Sequence, residues 1–183
     1  MIFMCLILLF INLGYIRNKL NVYTMDIRLI QPKDNQAMAI ILRRSLEEFN
    51  LNIPGTAYYD ESTDHLYETF QLENSAYFVA EEDGELVGGV GIYPTEGLPE
   101  NTVELVKMYI SSSYRGKGIG KQLMKKCIEH AKMLGYKKIY LETLPELSTA
   151  VLAYEKLGFE SLAQPLGYTG HFACTIWMLH EIG

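Results

Sequence analysis

Basic residues are in the minority in this chain. Lys and Arg number 16 against 22 Asp and Glu, giving a formal net charge of −6 and a pI near 5.2. Non-specific nucleic-acid binding depends on clustered cations meeting phosphates, so no nucleic-acid partner is expected. Cysteine is scarce too. Cys5, Cys127 and Cys174 lie far apart, with no C-x-x-C and no histidine pair at metal-ligand spacing. That excludes a disulfide framework and a zinc knuckle, leaves no metal to expect, and suits a reducing, cytoplasmic compartment. Low-complexity and collagen-like runs are missing as well. With 49% hydrophobic and 21% charged residues in 183 positions, the composition is that of one ordinary globular domain rather than a disordered chain.

A long apolar run is also lacking, though the first 24 residues come near to one. Residues 1–13 read MIFMCLILLFINL, and no charge precedes Arg17. A spanning helix needs about 20 apolar residues, so the run falls short unless Gly14 to Ile16 are added. A secretory signal would show a basic start and a small-residue cleavage site, and neither is there. Two expectations stand side by side. In one, Arg17 and Lys19 mark a weak membrane anchor with the domain on the cytoplasmic side. In the other, Met25 is the true start, the segment is no part of the working protein, and the net charge moves from −6 to −8 with the loss of Arg17 and Lys19. Either way the function belongs to residues 25–183, and membrane contact is expected only if residues 1–24 are retained.

From Met25 onward, strand and helix patterns alternate. Residues 26–30 alternate as a strand and stop at Pro32. Met38, Ile41, Leu42, Ser45, Leu46 and Phe49 then recur at helical spacing. Residues 50–55 read as a loop, and residues 58–72 as a second helix with Leu66, Tyr67 and Phe70 inward. Residues 76–80 and 86–93 flank Asp83-Gly84, a dipeptide that supplies the positive φ angles of a hairpin turn. Strands at 102–110 and 139–143, a long helix at 118–134 stopped by Gly135, and a helix at 148–157 stopped by Gly158 follow. Strands at 159–164 and 172–179 complete the set. The order β-α-α-β-β-β-α-β-α-β-β predicts a single α/β domain whose ligand sits where neighbouring strands part.

The sharpest local pattern lies between the strand at 102–110 and the long helix: Arg115-Gly116-Lys117-Gly118-Ile119-Gly120-Lys121. Three glycines at alternate positions let backbone N–H groups converge, and a helix N-terminus offers unpaired N–H groups and the positive end of a dipole. A phosphate-bearing ligand is the direct physical reading, with Arg115, Lys117 and Lys121 adding charge. Two familiar phosphate sites fail on spacing. A Walker A loop would need Gly where Arg115 stands and Ser or Thr where Gln122 stands; a dinucleotide fingerprint would need its third Gly at Lys121.

Tyr114-Arg115-Gly116-Lys117-Gly118-Ile119-Gly120 resembles the acetyl-coenzyme A signature of the GNAT acyltransferase superfamily, Arg/Gln-x-x-Gly-x-Gly/Ala. Downstream, Ala150, Tyr154 and Gly158-Phe159 resemble that family's Ala-x-x-x-Tyr-x-x-x-Gly-Phe, while Leu147 stands where the family often has Asn. The resemblance covers residues 25–183. It implies a mixed, mainly antiparallel central sheet flanked by helices, with splayed parallel strands at an acetyl-coenzyme A site. It implies acetyl transfer from acetyl-coenzyme A, as co-substrate, to a primary amine by direct attack in a ternary complex. The acceptor would be a small-molecule or peptide amine, and a homodimer would form through the late strands. Two alternatives are weighed against this: a non-catalytic acyl-coenzyme A sensor on the same fold, and a membrane-attached interaction protein.

By the same resemblance, the backbone of Val106, Met108 and Ile110 pairs with pantetheine, and residues 115–121 hold the pyrophosphate. Tyr154 is the expected general acid, since a phenol can protonate a departing thiolate. Two acids compete for general base. Glu104 stands among apolar strand residues, an expensive place for a carboxylate without a task, although alternation with Leu105 and Lys107 would turn it toward water. Glu142 lies at the carboxyl end of the partner strand. Tyr58, Tyr59 and the late-loop His171 are expected to border the acceptor. His65, His130 and His180 look like surface positions.

Overall fold

The computed structural model describes residues 25–183; the anchor and start-site expectations for residues 1–24 lie outside the described residues. Seven strands form one sheet: β1 (Met25–Leu29), β2 (Ala76–Glu82), β3 (Glu85–Tyr93), β4 (Thr102–Ile110), β5 (Lys138–Thr143), β6 (Glu160–Ser161) and β7 (Ile176–Glu181). Their spatial order is β1-β2-β3-β4-β5-β7-β6. Every neighbouring pair is antiparallel except β4 and β5. Among the described residues four α-helices accompany the sheet: α1 (Asn35–Glu47), α2 (Leu66–Thr69), α3 (Ile119–Met133) and α4 (Ser148–Lys156).

Local chemistry accounts for most boundaries. The β2–β3 hairpin turns at Asp83 and Gly84, with φ of 52° and 87°; two successive positive φ values match the right-handed twist of the flanking strands. Helix α1 lays Met38, Leu42, Ser45 and Leu46 on the sheet. Helix α3 covers the opposite face with Ile119, Leu123, Met124, Cys127 and Ala131, which join Phe78, Val90, Leu105, Ile139, Leu141 and Met178 in the main core. Each of the Leu, Ile, Val, Met and Phe side chains among them contributes roughly 1.5–3 kcal/mol by leaving water. Strand β4, with α1 on one side and α3 on the other, is buried on both faces in its first half.

Three expectations are corrected. Residues 58–72 do not form a helix: a three-residue turn at Glu61–Thr63 and the single turn of α2 are all that is helical there. Asp60 is extended, Thr63 donates its hydroxyl to the Ala57 carbonyl (2.7 Å), and Asp64 is held by both guanidinium nitrogens of Arg43. Side chain-to-backbone bonds of this kind compete with the helical ladder. The two late strands are also shorter than expected, β6 having two residues and β7 starting at Ile176. Residues 162–175 spend their amides on other segments instead, Tyr168 on the Glu96 carbonyl (2.8 Å) and Ala173 on that of Gly55 (3.3 Å). Phe49 lies past the end of α1, 38% exposed rather than in the core, with the Arg115 guanidinium 5.8 Å from its ring centre.

Candidate active site

Strands β4 and β5 pair only at Thr102–Lys138, Val103–Ile139 and Glu104–Tyr140. Beyond Tyr140, β5 continues alongside β7, while β4 runs on beside β3 to Ile110. The parallel seam therefore opens toward the carboxyl ends of both strands. A bulge lies in the open part of β4. Gly91 faces Val106 and Gly89 faces Tyr109, so Lys107 and Met108 together oppose Val90, and Lys107 takes φ of 50°. A bulge of this kind turns a strand and re-aims its side chains.

A cleft fills the opening. Its walls include residues 104–109 of β4, residues 141–144 after the parting, Leu147, Tyr154, His171 and Cys174. Tyr154 reaches it from α4, 8% exposed, with its hydroxyl 3.6 Å from the Met108 sulfur. Burial pushes this phenol up to about 12, so it carries its proton across the physiological range. Burial likewise pushes the Cys174 thiol up to about 12, with the nearby carboxylates of Glu142, Glu104 and Asp60 adding to the shift. A thiol in that state is a poor nucleophile.

Glu104 is 3% exposed. The water-facing position that strand alternation gave it is corrected, because β4 has no wet face there. Glu104 Oε2 accepts the Thr95 hydroxyl, and Oε1 makes no hydrogen bond among the described residues. Burial pushes Glu104 up to about 7, against the opposing pull of Thr95 and of the positive charges of His171 and Lys107. Glu142 is differently held. Tyr140 donates to one of its oxygens (2.6 Å) and Thr169 to the other (2.8 Å), while the Tyr140 hydroxyl accepts the Leu166 amide (3.1 Å).

Three residues from distant segments meet at the mouth. Lys107, whose side chain is only 7% exposed, forms an ion pair with Asp60 Oδ2, and the same oxygen lies 3.1 Å from His171 Nε2. Burial alone would raise Asp60, but the His171 hydrogen bond and the Lys107 charge hold it at about 2. His171 is raised by its bond to Asp60 against the cost of burial, and Lys107 is lowered by burial in spite of Asp60. Sequence reasoning missed Asp60 and Lys107. The lysine in Val106-Lys107-Met108 was the available signal, since an ammonium inside an apolar strand requires a partner. Tyr58 and Tyr59 stand outside the lining of the cleft. Tyr58 donates to Glu47 (2.7 Å), and Tyr59 is 62% exposed, its hydroxyl on the Asn52 carbonyl (3.3 Å). Their neighbours Thr56 and Ala57 line it instead. His65 is exposed, whereas His130 and His180 are half-buried against Phe78 and Phe159, which corrects their expected surface positions.

The glycine-rich turn closes the far end of β4. Gly118, at φ of 82°, precedes the first residue of α3, and a Cβ on Gly116 or Gly118 would meet nothing within 4 Å. Gly120 lets the helix approach β4, where a Cβ would lie 3.2 Å from side-chain atoms of Ile110 and Met108. Ile119 is buried in the core, so only its backbone faces the turn. Lys117 Nζ lies 4.4 Å from the centre of the Tyr114 ring, and Lys121 is exposed. Arg115 turns its side chain back, donating to the Ile110 carbonyl (2.9 Å), Glu48 (2.5 Å) and Ser45 (3.1 Å). It pins the turn to β4 and α1. An open concavity lined by glycine backbone at a helix N-terminus, with two lysines at hand, fits a diphosphate.

Comparison with known proteins agrees with this geometry. The acetyltransferase (GNAT) family model matches residues 42–159. An uncharacterized N-acetyltransferase of Escherichia coli K12, YjgM, is 40% identical over 156 residues, 85% of this chain and 93% of that one. An acetyltransferase of the GNAT family from Staphylococcus aureus Mu50 superimposes with a TM-score of 0.76 at 20% identity, over 87% of this chain and all of that one. The putative acetyltransferase yncA of Salmonella typhimurium, solved with its cofactor acetyl-CoA, superimposes with a TM-score of 0.70 at 21% identity, over 87% of this chain and 95% of that one. The chain belongs to the GNAT acetyltransferase family and is an acetyl-coenzyme A-dependent N-acetyltransferase.

Proposed function

We propose that residues 25–183 transfer acetyl directly to the primary amine of a small molecule or peptide, both substrates being held in the β4–β5 cleft at once. The observation that carries this reading is the opening of the parallel seam after Glu104 and Tyr140, with a proton acceptor, Glu104, and a proton donor, Tyr154, on the walls of the same cleft. Acetyl-coenzyme A, when bound, supplies the thioester and a thiolate leaving group. The backbone of Val106 and Met108 borders the opening and is assigned to the pantetheine arm. Ile110 marks the end of that track, its carbonyl already taken by Arg115. The amides of Gly116, Lys117, Gly118, Ile119 and Gly120 are assigned to the pyrophosphate, with Lys121 beside them and Arg115 as the brace that shapes the turn.

Glu104 is assigned as general base. It has an oxygen to spare, and a carboxyl that titrates near neutrality accepts a proton from an amine better than an ordinary one. Glu142 has both oxygens engaged, which supports a different role, anchoring the late loop through Thr169 and Tyr140. Tyr154 protonates the leaving thiolate. Direct attack is supported over a covalent acetyl-enzyme because Cys174 in the cleft is held as a thiol and Cys127 is buried in the core. His171 borders the acceptor.

Thiol release from acetyl-coenzyme A with ethylamine, spermidine, L-alanine, L-aspartate and a dialanine peptide tests the reading. Tyr154→Phe is expected to lower kcat by about 10²–10⁴-fold while calorimetric affinity for coenzyme A stays within about twofold. Heat on binding coenzyme A without thiol release for any amine would favour the sensor.

A further inference from the structure

The acetylation of a protonated amine releases one proton overall: R–NH3⁺ and the thioester become the amide, the free thiol and H⁺. The ammonium gives up two protons, of which Tyr154 returns one to the thiolate. The other, once on Glu104, must leave a side chain that is 3% exposed and whose described partner is the hydroxyl of Thr95. His171 lines the same cleft, and its side chain is 19% exposed. Asp60, on a separate segment, holds the ring through Nε2 at 3.1 Å.

We infer that His171 carries the proton from Glu104 to solvent and that Asp60, itself anchored by Lys107, is the positioning residue that fixes the ring for this task. In the neutral ring, Nε2 keeps its hydrogen for the Asp60 carboxylate, and Nδ1 presents the lone pair. Nδ1 takes the proton from Glu104 through water in the cleft, and the ring then returns a proton to water at the cleft mouth. No bond other than N–H and O–H changes. The groups that face His171 are Asp60 from the early loop, Lys107 and Glu104 from β4, and Glu142 from β5 on the same cleft wall. Their mixed signs let the ring cycle between charged and neutral forms.

This inference rests on Glu104 as base, and the experiment separates the two. Wild-type turnover with the fastest amine of the panel, and its loss in Glu104→Gln, tests the base. In the full chain, His171→Ala is expected to lower kcat at least tenfold at pH 7 with the KM for acetyl-coenzyme A within twofold. The deficit should shrink toward pH 9, and added imidazole should restore turnover in proportion to its concentration. Unchanged kcat, or a loss confined to the KM of the amine, would overturn the inference. A second measurement needs no turnover: nitrogen NMR of the His171 ring should report the Nε2–H tautomer, with a pKa that falls in Asp60→Asn. The Nδ1–H tautomer would refute it. If Asp60→Asn does not fold, the His171→Ala and tautomer results decide.

Discussion

Glu104 shows how a single buried carboxyl sets both rate and stability. Its carboxylate is the working form, so kcat/KM is expected to rise with pH through about 7, and Glu104→Gln should abolish that limb along with most of the activity. Stability runs the other way. The folded protein keeps the Glu104 proton up to about 7, whereas an exposed glutamate loses it near 4.5. The folded state thus gains from this group below 4.5 and forfeits the gain as pH rises through 7. Thermal melts should accordingly show Glu104→Gln more stable than wild type at pH 8 than at pH 5. Glu104 could be singled out in the sequence because an acid in an apolar strand is conspicuous. Asp60 could not, since nothing local in Tyr58-Tyr59-Asp60-Glu61 tells that its partners lie 47 and 111 positions away.

At the level of elements, the glycine-rich turn and the strand before it were legible because their determinants are contiguous. Strand β4 matches its expected bounds to the residue, and α3 starts one residue after Gly118. The expected helix at 58–72 failed for the opposite reason: its hydroxyls and carboxylates are claimed by distant backbone and by Arg43. The turn itself gives a sharp prediction. Gly118 has a left-handed backbone, which costs an ordinary residue roughly 1–2 kcal/mol, and its missing side chain faces open space. Gly118→Ala should therefore cost only about 1–2 kcal/mol of stability in urea unfolding while weakening coenzyme A binding more than tenfold by calorimetry. Equal affinity in the variant would argue against the turn as the diphosphate cradle.

For the whole molecule, charge ties the sheet's first strand to the body of the domain. Arg28 on β1 grips Asp34 through two nitrogens, at 2.6 and 3.0 Å, and Glu81 on β2 at 2.7 Å. Burial would raise Asp34, but Arg28 and the Gln31 amide hold it below its ordinary 3.8. Stability from this carboxylate, and from Asp60, is complete above 3.8 and lost as pH falls, for Asp60 through about 2. Urea midpoints should decline between pH 4 and pH 2. Asp34→Asn, which leaves Arg28 without its buried partner, should cost about 3 kcal/mol at neutral pH and less at pH 2. The parting of β4 from β5 has a broader consequence. A row of unclaimed amides at the rim of a sheet invites another chain to add on, with aggregation as the hazard. Here the row is recessed between two members of the same sheet, so access is gauged by width. A slender, amide-bearing thread can slip in lengthwise, whereas the edge of a folded protein is too broad to enter.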